Sequence, residues 1–266
     1  MLERHLSRIR RIALSHAQGC TRRELLVRTG LGAAALSRLA RGGAPASSRP
    51  ATAPPHTLTE ITGSPRERGR MYGRRFRDEI HAFLEREIWK AYAPPPAERE
   101  PLLRYAGSCW KEVQKYSQEV ADELEGVAEA TGLRIEEQVL ITLHEELYHR
   151  GELPKIEHCT VAGFGPPESL DGATYLGQNW DWMPSVFGHS ELVAWRRQAG
   201  PDLLGYAYPG LWAGAGMNSA GVALCWTSAR DVSIPGPAVG IPSYLLIARL
   251  LYQPTLDAAI AEGRRA

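Results

Sequence analysis

Long hydrophobic runs are missing from this 266-residue chain: the ~18–20 uninterrupted apolar residues of a bilayer-crossing helix occur nowhere, so no membrane span is expected. An excess of either charge is missing too. Lys plus Arg number 31 against 30 Asp plus Glu, a formal net charge of +1, so nothing electrostatic argues for a nucleic-acid partner. Cysteine is sparse. The four present, Cys20, Cys109, Cys159 and Cys225, stand far apart, without the close pairs of zinc ribbons and redox motifs. No serine sits in a G-x-S-x-G context, which argues against a serine hydrolase. The run His144-Glu145-Glu146-Leu147-Tyr148-His149 falls short of the zinc-protease motif H-E-x-x-H, because histidines five apart diverge by ~140° around a helix. A polar helix face is the better reading there, and no metal is expected.

What is present suits a globular protein. Hydrophobic residues make up 44% and charged residues 23%, enough for one sizeable core and a second small one. Basic residues gather in the first fifty positions, where Thr21-Arg22-Arg23-Glu24-Leu25-Leu26 matches a twin-arginine export signal. A mild apolar run at 31–36 and the A-x-A pattern Ala44-Pro45-Ala46 follow. Residues 1–56 therefore read as an export leader and flexible Ala/Pro/Ser linker, with a periplasmic or secreted destination; the alternative is a basic helix or tail on a cytoplasmic protein. With Cys20 in the leader, three cysteines remain. They cannot all pair within one chain, so at least one thiol is free.

Residues 57–158 read as helical. Ser64 as N-cap, Pro65 at the first helical position and Glu67 at the third form a capping box. Tyr72, Phe76, Ile80, Phe83 and Ile88 then recur at helical spacing until Pro94-Pro95-Pro96 ends the helix. A second helix is expected from about Ala97 to Gly132, with Leu103, Ala106, Trp110, Val113, Tyr116, Val120, Leu124 and Val127 inward, and a third over 135–149. After Pro154 the texture changes to short apolar runs between Gly, Pro and Asp-Gly turns. Strands are expected over 160–165, 174–179, 192–196, 203–208 and 221–227, then helices over 244–251 and 255–261. If the first two strands pair across Asp171-Gly172, Cys159 and Asp181 become neighbours.

Cys159-Thr160 opening a strand, Asp171-Gly172, the run Gly177-Gln178-Asn179-Trp180-Asp181-Trp182 and the turn Gly214-Ala215-Gly216-Met217-Asn218-Ser219-Ala220-Gly221 form an ordered constellation. It resembles the N-terminal nucleophile (Ntn) hydrolases, specifically the self-processing acyltransferases of the penicillin acyl-coenzyme A:6-aminopenicillanate type; bile-salt hydrolases usually have Arg where Gln178 stands. Gly63-Ser64-Pro65, Arg68-Gly69 and Tyr72-Gly73 are similar to the start of that family's propeptide. The resemblance spans 57–266. It implies an α+β chain with a four-layer αββα sandwich, incomplete here because the family continues with further strands, after a helical propeptide or α-chain region.

The resemblance also implies a mechanism. The precursor cuts itself between His158 and Cys159, the two chains stay associated, and the new α-amine serves as base for the Cys159 thiol. Such an amine, with a reference pKa of about 7.7–8.0, is partly neutral near pH 7. Asp181 would orient the cysteine, Thr227 would offer a backbone N–H to the oxyanion, and Trp180, Trp182 and Asn218 would line the substrate site. The acyl group of a small-molecule amide or acyl donor would pass to water or an amine. No cofactor is implied, with a coenzyme A thioester as one acyl donor allowed. The family usually has Gly where His158 stands. Plainer readings exist: Cys159 and Cys225 as packed thiols, Asp181 as a turn residue, Trp180 and Trp182 as core aromatics, Asn218 and Gly221 as turn formers. Two other functions compete, a non-catalytic binding protein on the same scaffold and a cysteine hydrolase using His149 or His158 as base.

Overall fold

A computed structural model describes residues 58–150, 159–182, 188–227 and 239–266, all within one compact unit. The leader, the linker, Thr57 and His158 lie outside the described residues, as does the side chain of His149. The chain begins with a strand, β1 (Leu58–Ile61), where only helix was expected. Helices α1 (Pro65–Arg75) and α2 (Arg77–Phe83) run on through a π-helical turn, Leu84–Trp89. Then come α3 (Arg99–Tyr116), α4 (Gln118–Thr131), α5 (Ile135–Thr142) and α6 (His144–Arg150).

The capping box forms as expected: Ser64 Oγ accepts from the Glu67 backbone N–H and the Glu67 carboxylate accepts from the Ser64 N–H. The expected inward residues Tyr72, Phe76, Ile80, Phe83 and Ile88 are all buried. The three long helices anticipated, however, are each broken. Phe76 separates α1 from α2. Ser117 leaves the helical region and caps α4 by accepting from the Val120 N–H, so one residue ends α3 and starts the next helix. Leu143 interrupts the third. Gly132 stops α4 in the left-handed conformation, φ 78°, as its position suggested.

Helices α1 and α4 cross at backbone contact distance. A Cβ on Gly69 would lie 2.0 Å from the Glu123 carbonyl oxygen, and one on Gly126 would lie 2.2 Å from that of Arg66. Only glycine permits such an approach. The crossing brings the buried Arg68 guanidinium onto the buried Glu123 carboxylate, with Nε at 3.0 Å and Nη2 at 2.6 Å from Oε1.

The second half supplies the sheets. Strands β4 (Glu191–Trp195), β5 (Leu203–Ala207), β6 (Ala215–Asn218) and β7 (Ala223–Leu224) are consecutive and antiparallel, and β1 lies parallel to β4, giving the order β1-β4-β5-β6-β7. The strand expected over 221–227 is only two residues long. Its shortness follows from the Asn218–Gly221 turn, which makes Ala215–Asn218 a strand in its own right, and from the chain after Leu224 leaving the sheet. Strands β2 (Thr160–Phe164) and β3 (Tyr175–Asn179) form a separate antiparallel hairpin. Helices α7 (Ser243–Leu251) and α8 (Leu256–Arg265) complete the chain.

One sheet face carries Val193, Trp195, Leu203 and Ala207 into a continuous core with residues of α1, α2, α4, α5 and α7. Tyr72 stacks on Trp195 at 6.3 Å between ring centroids and donates its role as acceptor to the Gly210 N–H at 3.0 Å. The architecture is mixed α+β. Among the described residues no helix is long and apolar enough to cross a membrane.

Candidate active site

The hairpin register decides where the cysteine goes. Thr160 pairs with Asn179 and Val161 with Gln178, so Cys159 and the segment Trp180–Asp181 sit together at the open end. Cys159 Sγ lies 3.9 Å from the backbone oxygen of Asp181. The contact uses the carbonyl, whereas the resemblance assigns the orienting role to the carboxylate; the Asp181 side chain is exposed. Thr227 arrives from the strand-like segment after β7 and donates its hydroxyl to the Cys159 carbonyl at 3.0 Å. Its neighbour Trp226 gives its backbone N–H to Gln178 Oε1 at 3.2 Å, fastening the hairpin to that segment.

Cys159 is half-buried and in thiol form among the described residues, as are Cys109 and Cys225. Burial pushes the Cys159 thiol above its ordinary value, and the negative charges of Glu145 and Asp181 add to the effect, while the hydrogen bond from the Asp181 backbone opposes it. An uncut chain therefore holds this sulfur mainly as thiol at neutral pH.

The two tryptophans flank this end differently. Trp180 packs on Tyr208 at 5.0 Å and Tyr206 at 6.2 Å, over Gly214, where a Cβ would come within 2.9 Å of the indole. Trp182 packs on His144 at 5.4 Å and Tyr148 at 5.2 Å. Both are pocket-wall aromatics by position. Asn218 is elsewhere. It is buried at the β6–β7 turn, its Nδ2 donating to the carbonyls of Leu251 and Gln253 at 2.7 Å each and its Oδ1 accepting from the N–H groups of Ala220 and Val222 at 3.0 Å each. All four hydrogen-bonding positions of the amide are used, which leaves none for a substrate. The turn-forming reading of Asn218 is the one the geometry fits.

Three groups near the cysteine were not singled out from the sequence. His144 was read as part of a solvated helix face, yet it is fully buried between Phe83, Tyr92 and Trp182. Burial pushes its imidazole down to about 4, so it is neutral at physiological pH. Burial pushes Tyr208 up to about 12, and Tyr244, fully buried on α7, well above the ordinary tyrosine value. Glu146 anchors α7 beside α6 by accepting from both the N–H and the hydroxyl of Ser243, at 2.8 and 2.6 Å. The missed signal was the break at Leu143, which rotates His144 inward and removes the continuous-helix geometry on which the 140° argument depended. Among the described residues no group of three or more His, Cys, Asp or Glu side chains is placed to hold a metal ion.

Compared with protein-family models and with curated proteins, the chain matches none.

Proposed function

We propose that the protein is a self-processing cysteine acyltransferase or amide hydrolase of the Ntn type, with Cys159 as nucleophile and acyl carrier and an αββα arrangement in which the β2–β3 hairpin belongs to the second sheet. The observation that carries this reading is the β2–β3 register, which sets Cys159 at a strand start beside Asp181 with Thr227 on its carbonyl. Breaking the His158–Cys159 bond frees an α-amine on the residue that bears the thiol. That amine, when neutral, takes the thiol proton, and the thiolate attacks the substrate carbonyl. The leaving amine departs with a proton from the α-ammonium, and water or a second amine then takes the acyl group from sulfur.

The raised thiol supports an order of events. In the uncut chain the sulfur is a poor nucleophile towards other molecules, so activity towards them follows cleavage. Thr227 acts as a positioning residue that fixes the Cys159 carbonyl, and Asp181 stands at the mouth, where its charge favours the protonated amine. The export signal read in residues 1–56 places this chemistry outside the cytoplasm.

Intact-mass measurement on protein expressed from Ser47, beside a Cys159→Ala variant, tests the proposal. The expected result is two chains meeting at His158/Cys159 in the parent and one in the variant. A parent that stays uncut and forms no covalent adduct with an activated acyl ester removes the Ntn reading and favours a binding protein on the same scaffold.

A further inference from the structure

Beyond Trp182 lies a group of buried polar atoms that the proposed reaction does not use. Nδ1 and Nε2 of His144, the Tyr244 hydroxyl and the Trp182 indole nitrogen are all buried without a hydrogen-bond partner. His144 and Tyr244 are each 0% exposed. Native interiors seldom leave one such atom unpaired, and here three side chains from three different elements do so in one neighbourhood. His144 opens α6, Tyr244 opens α7, and the Glu146–Ser243 bonds hold the two helix starts together. Trp182 follows β3, its ring 5.4 Å from the His144 ring, and the residue before it meets the Cys159 sulfur. The chamber thus adjoins the thiol by one residue of chain.

Its chemistry selects a ligand. Glu145 and Glu146 stand beside His144 and Tyr244, and Tyr244 lies within electrostatic reach of both carboxylates and of Cys159, so an anion is repelled. The Trp182 indole can only donate, which an ammonium group does not answer. The neutral imidazole of His144 presents one donor and one acceptor, and the phenol either. A group that both accepts and donates, without charge, answers all three.

We propose that this chamber is an acyl-recognition subsite for a secondary amide carried by the acyl group, so that N-acylaminoacyl groups are taken in preference to alkyl chains of equal length. The proposal rests on the reading of Cys159 as acyl carrier. An alkyl chain leaves the buried donors unpaired, the arrangement by which a site rejects an analogue lacking a polar group.

Binding is measured on the full chain carrying Cys159→Ala, so that the result does not depend on catalysis or self-cleavage. N-acetylglycinamide is compared with pentanamide, in which two methylenes replace the internal amide. Calorimetric titration gives the affinities, and the Trp182 indole N–H resonance, assigned with Trp182→Phe, reports the place. The expected outcome is a saturable shift of that resonance with N-acetylglycinamide, an affinity at least about tenfold above that of pentanamide, and a ratio reduced to about threefold or less by Tyr244→Phe or by Trp182→Phe. Equal affinities, no saturable shift with either compound because the chamber holds water only, or a ratio that survives both substitutions overturns the proposal. An uncut, unacylated parent would remove the acyl-carrier reading while leaving this binding comparison standing.

Discussion

Asn218 shows how one side chain can replace a stretch of regular structure. Its amide joins the β6–β7 turn to the end of α7 and the two residues beyond through four hydrogen bonds to backbone groups. Truncation to alanine leaves buried carbonyl and N–H groups unpaired, so Asn218→Ala is expected to lower stability by about 2–4 kcal/mol, read as a shift in the urea midpoint. Glu123 makes a prediction of a different kind. Burial pushes its carboxyl up to about 7, against the pull of Arg68 and of the Tyr252 hydroxyl, which donates at 3.0 Å to Oε2. A carboxyl raised in the folded state favours folding below its unfolded value, and that contribution is lost as pH rises through about 7. Relative to Glu123→Gln, the parent should therefore lose stability by up to about 1.4 kcal/mol per pH unit between pH ~5 and ~7, measured by urea unfolding at each pH. A parent that instead gains stability over that range would show that Arg68 dominates the pair. At this scale the sequence was informative about Cys159 and Asp181, because strand periodicity and one turn fix which residues meet. It was silent about His144 and Tyr244, whose burial depends on helix breaks and long-range packing.

Among the elements, the α1–α4 crossing is the most constrained. Gly69 and Gly126 stand where a methyl group would overlap a backbone oxygen, and backbone cannot yield as a side chain can. Gly69→Ala and Gly126→Ala are each expected to cost about 3 kcal/mol or more, or to prevent folding. Gly107, inside α3, is the control: its added Cβ would meet only Glu136 Cγ at 3.5 Å, so Gly107→Ala should raise stability by about 0.5–1 kcal/mol. Thermal unfolding of the three variants separates these outcomes. The legible elements were those with strong local marks. The capping box fixed the start of α1, Gly132 the end of α4, and alternation the places of β2 to β5. Less legible were breaks such as Ser117, where a residue that tolerates a helix interior caps a new helix instead, and β1, four residues whose strand character comes from β4 and not from their own pattern.

At the scale of the molecule, the core takes no account of the proposed cleavage point. Phe76, Ile80, Leu124 and Ile141 from before Arg150 pack in one cluster with Trp195, Trp212, Tyr244 and Leu251 from after Cys159. Arg197 adds a charged tie across the same divide, bonding Glu119 with Nη2 to Oε2 at 2.8 Å. A chain opened between 150 and 159, whether by itself or at an inserted protease site, should therefore elute as one species by size exclusion and separate only on unfolding in denaturant. Two peaks in native buffer would contradict it. This unity could not be read from the sequence, where the helical and strand-rich halves look like separate regions, because local periodicity says nothing of which face meets which.

The parallel pairing of β1 with β4 has a consequence in time. Leu58 must wait for Leu192, about 130 positions later, before its strand exists at all. At ordinary elongation rates of ~5–20 residues per second, a ribosome leaves that strand without a partner for roughly ten to thirty seconds. The first strand of the sheet is thus among the last to form, and a nascent chain caught before β4 has emerged would still be open to any machinery that handles unfolded protein.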